Sequence, residues 1–217
     1  MTGAHRGDPG RAPALQNRVL PTGEIVADAS YRGSLMGNRG ILHGDARRLG
    51  VARWRLKGWV CCVLTFKGRK RTVMAPRRYT ELFFLDEAVA LAAGHRPCAE
   101  CRRADYTRFR TAWAKATGTQ ARAPEIDAEM HTARVTRTRA QVRHEAEAGT
   151  LPDGTYLLWQ DAPHLVLGTQ VFPFSPAGYG RGVQRPPGTV TVLTPRPTVA
   201  VLKAGYRAAL HPSIPPL

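Results

Sequence analysis

The chain has 217 residues, 43% of them apolar, enough for one sizeable core or two small ones, and no stretch approaches the roughly eighteen consecutive apolar residues of a membrane helix. Lys and Arg number 32 against 16 Asp and Glu, and the net charge of +16 points to a polyanionic partner, nucleic acid first, because phosphates attract clustered cations over long range. Four cysteines, two adjacent and two in a Cys-x-x-Cys, argue against a disulfide framework and for a metal site in a reducing compartment; residues 1–13 lack the apolar core of a signal peptide, so the expected location is cytoplasmic.

Residues 1–16, rich in Gly, Pro and Arg, are expected to form a disordered basic arm. Residues 17–149 are expected to form a zinc-containing α+β domain with two helices, and 150–217 a small β-rich unit, although strands from both parts could join one sheet. Within the first part, Pro21-Thr-Gly23 and Gly37-Asn-Arg-Gly40 mark turns around short apolar pieces, leading to Ile41-Leu-His43. Residues 54–74 alternate in a way that predicts a β-hairpin, with Lys67-Gly-Arg-Lys70 as its turn and Thr72-Val-Met74 as its return strand. From Lys67 to Arg78 there are six cations and no acid.

Residues 82–85 are an apolar run of strand length, Asp86 offers a side-chain acceptor to cap a helix through Leu91, and Gly94 ends it. His95-Arg-Pro97 then leads into Cys98-Ala-Glu-Cys101. A helix over 103–116 carries Tyr106, Phe109 and Trp113 at helical spacing, a stripe that suits core packing. A second helix is expected from Pro124 to about Ala148, ending at Gly149, with Arg134 and other arginines projecting from a polar surface. Strands are expected at 156–159, 165–167, 170–172 and 189–193, and a last helix over 198–204.

Cys98 and Cys101 have the spacing by which a turn chelates zinc, so zinc is the expected cofactor, with two more ligands drawn from elsewhere. Cys61 and Cys62 are adjacent on a predicted strand and point to opposite faces, so only one can reach the ion; Cys62 is preferred. For the fourth ligand His43 ranks before His131 and His95. A redox Cys-x-x-Cys is the competing reading, but it leaves the basic charge unexplained.

The stretch 84–101, with Asp-Glu-Ala, Ala-Ala-Gly and His-Arg-Pro-Cys-Ala-Glu-Cys, resembles the second half of the metal-binding domain at the amino terminus of Ada-type DNA alkylation-repair proteins. The resemblance implies Cys98 and Cys101 as zinc ligands and a zinc fold that sits on DNA, with DNA repair or processing as the setting. It covers about one tenth of the chain. In that family the first ligand pair is two cysteines with three residues between them, closer to the knuckle, whereas here Cys61 and Cys62 are adjacent and far from it, so no methyl-accepting cysteine carries over. Pro97-Cys-Ala-Glu-Cys101 also resembles half of the zinc nucleobase deaminase signature, but the upstream His-x-Glu or Cys-x-Glu is missing.

These features together predict a zinc-containing nucleic-acid-binding protein, DNA before RNA. The expected phosphate contacts are Lys67, Arg69, Lys70, Arg71, Arg77, Arg78, Arg102, Arg103 and Arg134. The alternative is a nuclease or base-processing hydrolase. Its candidate groups are His43, Asp127 and His131, the last two lying four apart on one helical face.

Overall fold

The computed structural model describes residues 14–214 as an α+β fold of two sheets and four helices. Most of the predicted basic arm lies outside the described residues. Of its last residues, Gln16 is anchored by a hydrogen bond from its amide to the Ile25 carbonyl.

The first sheet is mixed. Its strands are β1 (Arg18–Val19), β2 (Ile25–Val26), β3 (Leu35–Asn38), β4 (Val60–Val63), β5 (Leu82–Phe84) and β6 (Arg96–Pro97), in the spatial order β2-β1-β5-β3-β4-β6. The central pairing of β3 with β4 sets Gly37 opposite Cys61 and Met36 opposite Cys62. Glycine is needed at position 37, because a Cβ there would lie 2.3 Å from the Val60 carbonyl oxygen. On its other edge β4 takes β6 in parallel, with Cys61 opposite Pro97. Both edges of β4 are therefore occupied by strands other than the predicted hairpin partner. Residues 64–81 form loops and turns instead of a return strand. The run Thr72-Val-Met74 is short, Met74 has φ of 53°, outside the strand region, and its N–H donates to the Glu81 carboxylate.

Between the sheets lies α1 (Glu87–Ala92), capped by Asp86, whose carboxylate accepts from the Val89 N–H at 2.9 Å. All six of its residues are buried, the pattern of a helix surrounded by protein. Ala88, Val89, Ala90 and Ala92 share a core with Val19, Leu82 and Phe84 of the first sheet and with Tyr156, Leu165 and Phe172 of the second. Small side chains let both sheets approach the helix closely.

The second sheet is antiparallel: β7 (His144–Glu147), β8 (Tyr156–Trp159), β9 (Ala162–Leu167), β10 (Gln170–Ser175), β11 (Gly178–Tyr179), β12 (Val183–Gln184) and β13 (Thr189–Val192), ordered β11-β10-β9-β8-β13-β7 with β12 also on β10. Its period-two alternation sends Tyr156 and Leu165 toward α1 and Leu157, Val166 and Val171 into a separate apolar cluster on the opposite face. A third cluster joins α1 to the remaining helices, α2 (Arg103–Thr117), α3 (Ala123–Arg134) and α4 (Arg196–Lys203). Tyr106, Phe109 and Trp113 of α2 are buried, as their spacing predicts.

The second helix is shorter than expected. α3 stops at Arg134, and residues 135–141 close a turn in which the Thr136 hydroxyl accepts from the Ala140 N–H and Arg139 takes φ of 72°. Val135, Thr136 and Thr138 are β-branched and stiff at χ1, and threonine hydroxyls compete for backbone donors, so the helix yields to a turn. The chain then enters β7, which pairs with β13. The second sheet thus begins before Gly149.

Candidate metal centre

The adjacent cysteines on β4 have different surroundings. Cys61 is buried, 1% exposed, and its sulfur accepts from the Arg102 guanidinium at 3.5 Å. Burial pushes its thiol up, leaving it protonated and inert. Cys62 faces the other way and meets the turn that leaves β6. The Cys98 N–H donates to the Cys61 carbonyl at 2.9 Å, which sets that turn against the end of β4, and the Arg102 N–H donates to the Cys98 carbonyl at 3.2 Å, leading into α2.

The outcome is that the sulfurs of Cys62, Cys98 and Cys101 lie within 4.8 Å of one another. Tetrahedral thiolates about 2.3 Å from one zinc ion sit about 3.8 Å apart, so three thiols this close are compatible with a metal site. The Glu100 N–H donates to the Cys98 sulfur at 3.4 Å, a contact that favours thiolate. Cys98 is held down to about 5, first by the hydrogen bond from the Cys62 thiol, against burial, and then by the N–H groups of Cys101 and Glu100. Cys62 is pushed up, by its hydrogen bond to Cys98 and by burial, and Cys101 is raised mainly by burial. The three share protons as one unit. A divalent cation would displace those protons and take the negative charge that burial disfavours. Among the described residues, these three are the metal-ligand types that cluster.

His43 is not with them. Its Nδ1 lies 2.6 Å from the Thr80 hydroxyl and its Nε2 3.2 Å from the Ala75 carbonyl. A carbonyl only accepts, so Nε2 carries the proton and Nδ1 accepts from Thr80, leaving neither nitrogen free for a metal. This corrects the sequence expectation. His43 holds the loop after β3 against residues 75–80. His131 also lies elsewhere, edge-on to Trp54 at 5.4 Å, with Nδ1 accepting from Arg134. His95 is buried beside Phe84 and Trp59.

The expected pairing of Asp127 with His131 is replaced by a different one. Arg96 Nε and Nη2 donate to the two Asp127 carboxylate oxygens at 2.8 and 2.7 Å, a buried bidentate pair. The carboxylate is committed to an arginine rather than to an imidazole. His43 and His131 have separate hydrogen-bond partners, Thr80 and Ala75 for the first and Arg134 for the second.

Two of the expected phosphate contacts are buried. Arg102 is 7% exposed and pairs with Glu87 at 2.9 Å and Asp105 at 2.6 Å. Arg134 is 2% exposed and donates to the Gly94 and Lys57 carbonyls. Their positions in the sequence look like surface helix positions, but α1 and the loop before β4 cover them. Lys67, Arg69, Lys70, Arg77, Arg78 and Arg103 are exposed and Arg71 is half-buried. Arg69 reaches across to Glu100 of the Cys-x-x-Cys turn at 2.9 Å, so the basic loop lies against the thiol cluster. That contact had no sequence signal beyond opposite charges 31 residues apart.

No helix among the described residues is long and apolar enough to cross a membrane. Compared with family models, with curated proteins and with solved structures, the chain has no match.

Proposed function

We propose that this chain is a zinc-containing nucleic-acid-binding protein, with Cys62, Cys98 and Cys101 holding the ion and Lys67, Arg69, Lys70, Arg77, Arg78 and Arg103 meeting phosphates. The observation that carries the reading is the three-thiol cluster with an exposed, acid-free cationic loop tied to it through Arg69 and Glu100. A sulfur-rich donor set favours zinc among the divalent metals. The metal fixes the turn, and the turn fixes the loop. DNA ranks before RNA on the resemblance of residues 84–101 to the Ada-type domain, which also makes DNA repair or processing the proposed setting. The proposed compartment is the cytoplasm, where reduced thiols persist.

The test has two arms. Elemental analysis of the purified protein should give one zinc per chain, and Cys98→Ser should lose both metal and folded signal, because in such modules the metal's binding free energy, on the order of 10 kcal/mol, is folding free energy. Binding to duplex and single-stranded DNA should weaken steeply with salt, and Lys70→Gln with Arg77→Gln should lower the salt slope by about two. A metal-free wild type that folds normally, or salt-independent binding, overturns the reading.

A second reading is a hydrolase acting on nucleic acid. The three-ligand count favours it, because zinc with three protein ligands keeps a position for water. Product formation from labelled DNA or RNA that stops on chelation and returns with zinc supports it; its absence under all metal conditions leaves the binding module.

A further inference from the structure

Just before β4, Trp59 forms the floor of a cleft of about 330 Å³. The guanidinium carbons of Arg39 and Arg134 lie 4.1 and 3.9 Å from the centre of its ring. Arg53 and Arg139 line the same cleft, and Trp54 forms part of its wall. The one carboxylate of the lining, Glu24, is exposed and accepts from the Thr22 hydroxyl.

Elsewhere this protein gives its buried arginines carboxylates. Arg96 has Asp127, and Arg102 has Glu87 and Asp105. Arg39 and Arg134, each 2% exposed, have none within ion-pair distance among the described residues. Arg39 donates to His95 Nε2 at 3.4 Å and to the Gly23 carbonyl at 3.3 Å, and its Nη2 has no partner. A buried cation without a counter-charge costs several kcal/mol. Arg134 has Asp127 in its surroundings, but that carboxylate is committed to Arg96, so an anion between Arg39 and Arg134 would supply the missing counter-charge. Burial and the neighbouring Arg134 and Arg53 push Arg39 down to about 9; since arginine holds its proton far above neutrality, the direction expresses that uncompensated charge.

We propose that this cleft binds a phosphate group, held by Arg39, Arg53 and Arg134, with Trp54 offering a ring face to an attached base. Arginine's planar fork suits the tetrahedral oxyanion, and the cleft volume matches a small-ligand site. The site needs no metal and uses none of the loop cations, so it stands independently of the zinc reading. Three residues at ~3.3 Å each put the Trp59 and Cys62 backbones roughly 10 Å apart.

The test is thermal unfolding and tryptophan fluorescence of the full chain with inorganic phosphate, a 5′-mononucleotide and an oligonucleotide of about ten residues, each against chloride at equal ionic strength. Phosphate should raise Tm above the chloride control, since a ligand that binds only the native state stabilises it by mass action. Arg53→Gln, at a half-buried loop position, should weaken phosphate binding at least about tenfold. Arg110→Gln, exposed on α2 and outside both the cleft and the basic loop, should leave it unchanged. A mononucleotide that binds as tightly as the oligonucleotide identifies a free nucleotide as the source; a large gain with the oligonucleotide, with Trp54 quenching, identifies the nucleic-acid backbone. Equal shifts in phosphate and chloride, or an undiminished response in Arg53→Gln, overturn the proposal. Absence of DNA binding in the wild type with the phosphate response intact overturns the nucleic-acid reading alone, and DNA binding without any phosphate response overturns this proposal alone.

Discussion

Removing the Asp127 carboxylate should be among the most damaging single changes in the protein. Asp127 receives two hydrogen bonds from Arg96, at 2.8 and 2.7 Å, and the side chains are 11% and 6% exposed, so water cannot replace either partner. Arg96 also donates to the Pro97 carbonyl and stacks on Tyr106 at 5.2 Å, which holds its charge in place after the carboxylate is gone. Breaking a buried pair from one side costs about 3–5 kcal/mol. For a chain of this size that is a fall in Tm of about 6–20 °C. Asp127→Ala measured by urea unfolding should show that loss, while Asp127→Leu combined with Arg96→Met should recover to within about 1 kcal/mol of wild type, because the double change leaves no orphan charge. Arg96 precedes Pro97 and Cys98, so the single variant should also release bound metal faster on dialysis against a chelator. A loss below about 1 kcal/mol in Asp127→Ala would falsify the assignment of Asp127 as a structural ion-pair partner.

Other outcomes follow from single contacts. Cys61→Ala should keep full metal content and Cys62→Ala should lose it, measured by elemental analysis, because only the second sulfur lies in the cluster. Gly94→Ala should cost upwards of about 1 kcal/mol in urea unfolding, since the position has φ of 81° and the added Cβ would lie 2.5 Å from Arg134 Cδ. His95 is fully buried and its pKa is lowered well below the usual range, by burial first and then by Arg39 and Arg134. The unfolded state therefore takes up this proton first as pH falls through about 6.5, and folding stability should drop below that pH by up to ~1.4 kcal/mol per pH unit until the folded pKa is reached. His95→Gln should remove that part of the slope in denaturation curves collected between pH 7 and 5; an unchanged slope assigns the acid sensitivity to other groups.

Local rules made the knuckle legible and left its setting hidden. Asp86 as a cap, Gly94 as an exit and Cys98-x-x-Cys101 as a turn are encoded within three or four residues, and adjacent cysteines on a strand must face apart. What pairs with β4 is not local. Its partners β3 and β6 sit more than twenty residues before it and more than thirty after it, and the alternation of residues 60–66 carries no label for either. The burial of Arg102 and Arg134 was hidden for the same reason. A guanidinium on a polar helix looks solvated until another element folds over it. The arginine and tryptophan cleft was signalled only by Trp54 and Trp59 within a cationic stretch, which the hairpin expectation absorbed.

Asp86 and Glu87 have a consequence for the order in which the protein assembles. Asp86 caps α1 and also accepts from the Tyr179 hydroxyl and the His211 N–H, while Glu87 holds Arg102, the Tyr206 hydroxyl and the Ala209 N–H. These partners are up to 125 residues away. Closing so long a loop is entropically expensive, and such contacts form late. Until they do, two carboxylates at the head of α1 have no reason to leave water, and Arg102, which leads from the Cys-x-x-Cys turn into α2, lacks the anchor that orients it. The thiol cluster and the segment around 206–211 should therefore gain protection from hydrogen exchange together, as one late cooperative unit, rather than the knuckle forming first as an autonomous module.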